Sequence, residues 1–257
     1  MTTALITGAT AGLGWVFAQR LAADGHDLVL VARDTARLGE RARELTQAYP
    51  IQVEVLTADL SDRAATDEVA TRVADRERPV DLLVNNAGFG LARPFSRTTI
   101  QDEVRLLDVL CRAVLITSHA AVPVMRERGR GAILNVSSTA GFASLGTYSA
   151  AKAWVTTFSE SLAGELAGTG VRVCAVCPGF THTEFHERGG ISMSGLPAIG
   201  WLDAGYVVDT ALRDLRRGVV ISVPSLRYKA AAGLSRVAPS GLRRRVSAAI
   251  SWSRNTR

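Results

Sequence analysis

The 257-residue chain has little cysteine, little histidine and almost no lysine. Its three cysteines, Cys111, Cys174 and Cys177, form an odd, sparse set. That excludes a disulfide scaffold and suits reduced thiols in a cytoplasmic protein. Cys174 and Cys177 have the spacing of half a metal or redox motif, but no second pair follows. They fall in an apolar run expected to be a strand, where residues three apart face opposite sides. They read as core thiols, and no metal site is expected. No apolar run is uninterrupted over the ~20 residues of a bilayer span; the best, 110–125, is broken by Arg112 and His119. A basic start of the kind that opens a secretory signal is also missing. Hydrophobic residues make up 47% and charged residues 21%, proportions of a folded chain that exclude collagen-like and disordered classes.

Acidic residues are absent from 224–257, which hold eight basic ones and leave 1–223 with a net charge of −2. We therefore divide the chain into a body, 1–223, and a basic extension, 224–257. Leu226, Leu234, Val237, Leu242, Val246, Ile250 and Trp252 are interspersed among the arginines. Such a segment suits a helix packed on the body or extending a substrate mouth. Peripheral contact with an anionic membrane is the less favoured alternative. Nucleic acid is not expected as a partner, since the body is net negative and has no binding fold.

Short β-branched runs at 4–7, 27–32, 53–57, 82–85, 132–137 and 171–177 alternate with helix-like stretches at 13–24, 35–48, 63–78, 100–128 and 147–167. A seventh strand is expected at 219–223. The strands are continuously apolar, so both faces are buried. This alternation predicts an α/β fold with one parallel sheet and helices on both faces. Asp34 and Ser61 stand where helix N-caps belong. The stretch 187–206 is rich in Gly, Ser and Met and has weak periodicity, so it reads as a substrate lid.

The first strand runs into Thr7-Gly8-Ala9-Thr10-Ala11-Gly12-Leu13-Gly14 and then a helix. A pyrophosphate needs close backbone N–H donors and the positive end of a helix dipole, and side chains at Gly8 or Gly12 would hold it away. Gly14 lets the helix approach the sheet. Tyr148 and Lys152 are four apart and share a helical face. An ammonium beside a phenol favours the phenolate, so Lys152 is expected to acidify Tyr148 into a useful acid–base group. Only Lys152 and Lys229 among 30 basic residues are lysine. A chain that otherwise uses arginine thus keeps lysine where a compact ammonium is wanted.

With Asn85-Asn86-Ala87-Gly88 after the fourth strand, these motifs make the chain resemble the short-chain dehydrogenase/reductase family over residues 1 to about 223. The resemblance implies a single Rossmann-type, doubly wound parallel sheet of about seven strands, and an oxidoreductase interconverting an alcohol and a carbonyl with a nicotinamide dinucleotide. Tyr148 would be the acid–base, Lys152 its tuner and ribose contact, and Ser138 the residue orienting the substrate oxygen. Ser137 is a competing candidate. Cofactor contacts would come from Gly8, Thr10, Gly12, Leu13, Gly14, Asp59, Leu60, Asn86, Ala87, Gly88, Pro178, Gly179 and Thr183. Asn86 would also brace the central strands, and a homodimer or homotetramer would form through the helices carrying Asp108 and Tyr148, with Trp154 and Phe158 at the contact.

Arg33 ends the second strand, with Ala32 where the family's NAD-specific members carry Asp. Its guanidinium suits the 2′-phosphate of NADP rather than NAD. The family usually has an asparagine that kinks the long helix before the fifth strand, and here Leu110 takes its place. That departure leaves a non-catalytic dinucleotide-binding sensor or scaffold as the second reading. Phe89, Phe142, Leu145, Phe180, Phe185, Met193 and Trp201 are expected around the site and favour a lipophilic substrate. His182 and His186 are read as exposed loop residues.

Overall fold

The computed structural model describes residues 2–185 and 200–237. Seven parallel strands, β1 (Thr3–Thr7), β2 (Asp27–Ala32), β3 (Val53–Thr57), β4 (Leu82–Asn85), β5 (Gly131–Val136), β6 (Val171–Val176) and β7 (Ile221–Ser222), form one sheet in the order β3-β2-β1-β4-β5-β6-β7. The strand order reverses between β1 and β4, which opens a crevice at their carboxyl ends.

The apolar runs divide residue by residue between two cores. Ala4, Ile6, Leu28 and Leu30 face α1 (Gly12–Ala23), α2 (Thr35–Ala48) and α7 (Ala204–Arg216). Leu5, Val29, Val31 and Leu83 face α3 (Arg63–Val73), α5 (Ala113–Glu127) and α6 (Thr147–Glu165). Period-two alternation inside a continuously apolar strand is what a sheet covered on both faces requires.

Before α5 comes α4 (Ile100–Leu107), joined to it through a π-helical turn, Asp108–Arg112. The three make one 28-residue helix whose most apolar stretch has mean hydropathy 1.5, long enough by length and composition to cross a membrane. Here it packs against the protein: Leu106, Leu110, Ala113, Ala121 and Met125 are all buried in the cores.

Asp34 caps α2 by accepting from the Arg37 N–H at 3.0 Å. The expected cap Ser61 is corrected to Asp62. The Ser61 hydroxyl donates to Asp59 at 2.7 Å, and Asp62 accepts from the N–H groups of Ala64 and Ala65. α3 stops at Val73 rather than 78, and the Arg72 guanidinium takes the Arg78 carbonyl at 2.8 Å. β7 is shorter than 219–223 because the Val219 N–H turns back to the Asp214 carbonyl. Cys111, Cys174 and Cys177 are free thiols, and Cys174 and Cys177 are buried.

The extension begins as α8 (Leu226–Val237), which packs on the short helical turn Thr139–Phe142. Lys229 is exposed on it. Most of the expected lid, with Met193 and His186, and the chain beyond 237 lie outside the described residues.

Candidate active site

β1 delivers the glycine turn. Gly8 (φ +68°) and Gly12 (φ +54°) adopt left-handed conformations that side chains disfavour. A Cβ on Gly14 would lie 2.2 Å from the Gly8 carbonyl oxygen and 2.4 Å from Asn86 Nδ2. The turn therefore needs glycine for close approach as well as for φ. The N-cap of α1, Ala11, makes no side-chain hydrogen bond, so the first N–H groups of the helix, including Leu13, have no capping oxygen. Uncapped donors behind a turn stripped of Cβ atoms fit a dinucleotide pyrophosphate. Thr10 is buried, and its carbonyl accepts from Arg41 at 3.4 Å.

Asn86 ties β4 to this turn. Its side chain donates to the carbonyls of Thr7 (2.9 Å) and Gly8 (3.3 Å), while the Thr7 hydroxyl accepts from the N–H groups of Asn86 and Ala87. At Gly88 a Cβ would come within 2.9 Å of Leu110 and 3.8 Å of Lys152 Nζ. The same strand thus brings the glycine turn and the lysine together.

At the outer end, Arg33 is 63% exposed and lies 3.8 Å from the Asp59 carboxylate. Arg105, from α4, approaches the same carboxylate at 3.5 Å. Burial alone would raise the Asp59 carboxyl. Hydrogen bonds from the Ser61 N–H and hydroxyl, helped by Arg33 and Arg105, hold it below the usual carboxylate range. Leu60 is buried in the core behind it.

The catalytic candidates meet where β5 gives way to α6. Ser137 and Ser138 diverge. The Ser137 hydroxyl is buried, 2.7 Å from the Lys152 carbonyl and 2.8 Å from the Thr156 hydroxyl, so it pins α6 to the sheet. Ser138 accepts from the Ala140 N–H at 3.1 Å and hydrogen-bonds toward Tyr148, favouring its phenolate. It is both a turn cap and a neighbour of the phenol. The Tyr148 ring packs against Leu106, Leu110 and Ala151 and lies 5.8 Å from the Phe185 ring. Lys152 is 4% exposed and donates to the Val136 carbonyl at 2.6 Å.

The expected acidification of Tyr148 by Lys152 is not what these groups produce. Lys152 Nζ sits 5.8 Å from the phenol's ring centre, held by the Val136 carbonyl. Loss of surrounding water pushes Tyr148 up to about 12, opposed only by Ser138. The same cause pushes Lys152 down to about 8, opposed by Cys111 and Cys177. The protein's own groups therefore keep the phenol protonated at neutral pH.

A polar scaffold lies beneath, where Asn85 and Asn135 stand side by side on β4 and β5. Asn85 donates to Asn135 at 2.9 Å and accepts from Thr117 at 2.8 Å, and Asn135 donates to Ser159 at 2.9 Å. All four are buried. These bonds fix α5 and α6 against the strands and hence the angle of Tyr148.

The far wall is the segment after β6. The Pro178 carbonyl accepts from Thr139 N–H and hydroxyl at 2.9 and 3.1 Å. Gly179 leaves room for the Tyr228 ring of α8, which a Cβ there would meet at 2.1 Å. The Tyr228 hydroxyl accepts from the Phe180 N–H (3.2 Å) and donates to the Gly200 carbonyl (2.7 Å). Thr183 lies against Gly12, 3.4 Å from where a Cβ would stand. Glu184 forms a two-pronged ion pair with Arg37 of α2, at 2.8 and 3.3 Å. Trp201 stacks on His182 (4.5 Å) and tilts against Phe180 (6.1 Å). Arg37, Arg105, Asn135 and Tyr228 were not singled out from sequence. Asn135 stands only three residues before Ser138, and nothing marks Tyr228 within the basic tail.

A family model described as short chain dehydrogenase matches residues 2–190. Sulfoacetaldehyde reductase 2 of Chromohalobacter salexigens is 39% identical over 186 residues, 70% of this chain and 73% of that protein. A short-chain dehydrogenase from Sphingobium yanoikuyae, solved in complex with NADPH, is 36% identical and superposes with a TM-score of 0.85 over 92% of this chain and 94% of that one. A bulky-bulky ketone specific alcohol dehydrogenase from Comamonas testosteroni is 32% identical, with a TM-score of 0.79 over 93% and 96%.

Proposed function

Because the chain belongs to the short-chain dehydrogenase family of oxidoreductases, we propose that it is a cytoplasmic, NADP(H)-dependent enzyme interconverting an alcohol and a ketone or aldehyde on a small, fairly apolar molecule. When bound, the nicotinamide dinucleotide supplies or accepts the hydride. Gly8, Gly12, Gly14 and the uncapped start of α1 bind the pyrophosphate. Arg33 meets the 2′-phosphate, and Asp59 with Leu60 the adenine. Asn86, Ala87, Gly88, Pro178, Gly179 and Thr183 line the nicotinamide half. The NADPH complex of the Sphingobium relative supports the cofactor.

Tyr148 holds the proton that a substrate oxygen needs as a carbonyl becomes an alcohol. Ser138 orients that oxygen and donates to it as charge develops. Lys152 fixes the ribose. One observation carries this reading: the Ser138 hydroxyl hydrogen-bonds toward Tyr148, and Lys152 Nζ lies 5.8 Å from the centre of the phenol ring and 3.8 Å from where a Cβ on Gly88 would stand. An apolar substrate is supported by the side chains packed with Tyr148, namely Leu106, Leu110, Phe89 and Leu91.

The π turn at Asp108–Arg112 forms although Leu110 stands at its centre. Leu110 fills the space beside Gly88 and leaves Lys152 anchored by a backbone carbonyl. This supports an active enzyme over a non-catalytic binding protein. The test is NADPH consumption across chemically diverse ketones and aldehydes, with Tyr148→Phe as the blank. Turnover by wild type and at least a hundredfold loss in the variant is expected, the scale of a lost general acid. Tight NADPH binding with no turnover on any carbonyl would reject catalysis.

A further inference from the structure

Glu184 presents a problem that its position makes plain. It follows Thr183, which packs on Gly12, so the chain brings an acidic residue next to the one that touches the turn that must attract a pyrophosphate. Unpaired, it would repel any dinucleotide. Arg37 meets it from the first turn of α2, and the two side chains are 27% and 43% exposed. Planar, two-pronged pairing of this kind fixes geometry as well as charge. The ion pair joins residues 147 apart in sequence. One belongs to the helix that follows Arg33, the other to the segment on the opposite wall of the cleft. That segment is held elsewhere by the pairing of Thr181 with Leu202 and by the Tyr228 hydroxyl at Phe180.

We propose that Arg37 and Glu184 are positioning residues forming a clasp across the dinucleotide cleft, which holds Thr183 against the glycine turn and cancels the Glu184 charge there. This rests on the dinucleotide reading above. The clasp shuts the two walls around the pyrophosphate without itself touching the reacting atoms. Its loss weakens coenzyme binding and leaves the chemical step unchanged. The two partners are unequal. Removing Arg37 takes away the positive charge that faces the Glu184 carboxylate across the cleft, whereas removing the Glu184 charge loses only the closure.

The test is a fluorescence titration of NADPH into wild type, Arg37→Met, Arg37→Glu, Glu184→Gln, the double neutral variant and the charge swap Arg37→Glu/Glu184→Arg. Dissociation constants should rise about fivefold for Arg37→Met and about twofold for Glu184→Gln, the range of a partly exposed ion pair. The double neutral variant should bind no worse than Glu184→Gln. The swap should bind at least twice as tightly as Arg37→Glu alone, with kcat at saturating NADPH unchanged in all. Wild-type affinity in both single variants overturns the clasp. So does a swap no better than Arg37→Glu, which would assign Arg37 a direct bond to the coenzyme. A wild type that binds neither NADPH nor NADH overturns the dinucleotide reading, and the clasp with it.

Discussion

Lys152 and Tyr148 carry opposite consequences of the same burial. The Lys152 ammonium, pushed down to about 8, titrates below its unfolded value near 10.5. Between those values the unfolded chain holds a proton that the native one has released, so this group adds stability as pH rises through the window. At pH 7 both states are charged, and the native ammonium bears its full desolvation cost. Lys152→Met is therefore expected to raise the urea midpoint of the isolated protein at pH 7, with the gain shrinking toward pH 10. Tyr148, pushed up to about 12, does the reverse and costs stability between about 10 and 12. Arg33 acts at the same scale on specificity. Arg33→Ala should raise the NADPH dissociation constant by about tenfold, the size of a lost charge-assisted bond, and leave NADH within twofold. Isothermal titration with both coenzymes decides it, and equal losses would remove the assignment.

Elements, rather than single side chains, decide how closely the glycine turn approaches β4. Gly14→Ala pushes a methyl group into the Gly8 carbonyl and the Asn86 amide. It should cost about 1–3 kcal/mol of stability and abolish measurable NADPH binding, read by thermal melts with and without coenzyme. The π turn gives a second case. Leu110 is 1% exposed and packs with Leu106 and Ala151. Leu110→Asn should therefore lose about 2–4 kcal/mol in chemical denaturation while retaining activity per folded molecule.

The elements were also what the sequence showed best. The continuously apolar strand runs, the glycine turn and the Tyr148–Lys152 spacing are local patterns, and each lies within one element or one junction. The π turn was not legible, because it keeps its shape here through packing instead of through a marked residue. The phenol's high pKa, the Arg37–Glu184 pair and the Tyr228 contact depend on segments far apart in the chain. They arise only when the segment after β6, the start of α2 and α8 are brought together at the carboxyl ends of the strands. Ser61 shows the same limit in miniature: its type suits a cap, but Asp59 two residues earlier claims its hydroxyl.

On the scale of the whole molecule, one surface stands out. Val104, Leu107, Leu115 and Trp154 are exposed on the outer faces of α4, α5 and α6, and Trp154 stacks on Phe158 at 5.0 Å. We read this face as the subunit contact of a homodimer or homotetramer. Trp154→Glu should shift the protein toward monomer in sedimentation velocity, since a charge forced into an apolar contact loses its hydration. An unchanged sedimentation coefficient would place the contact elsewhere. The scarcity of lysine has a practical outcome. Of the two lysine side chains, Lys152 is 4% exposed and Lys229 stands open on α8. Among the lysine side chains an acylating dye will thus reach the one on the helix whose Tyr228 presses against the far wall, so once the chain's α-amino group is blocked a reporter is placed on that helix without any engineered cysteine.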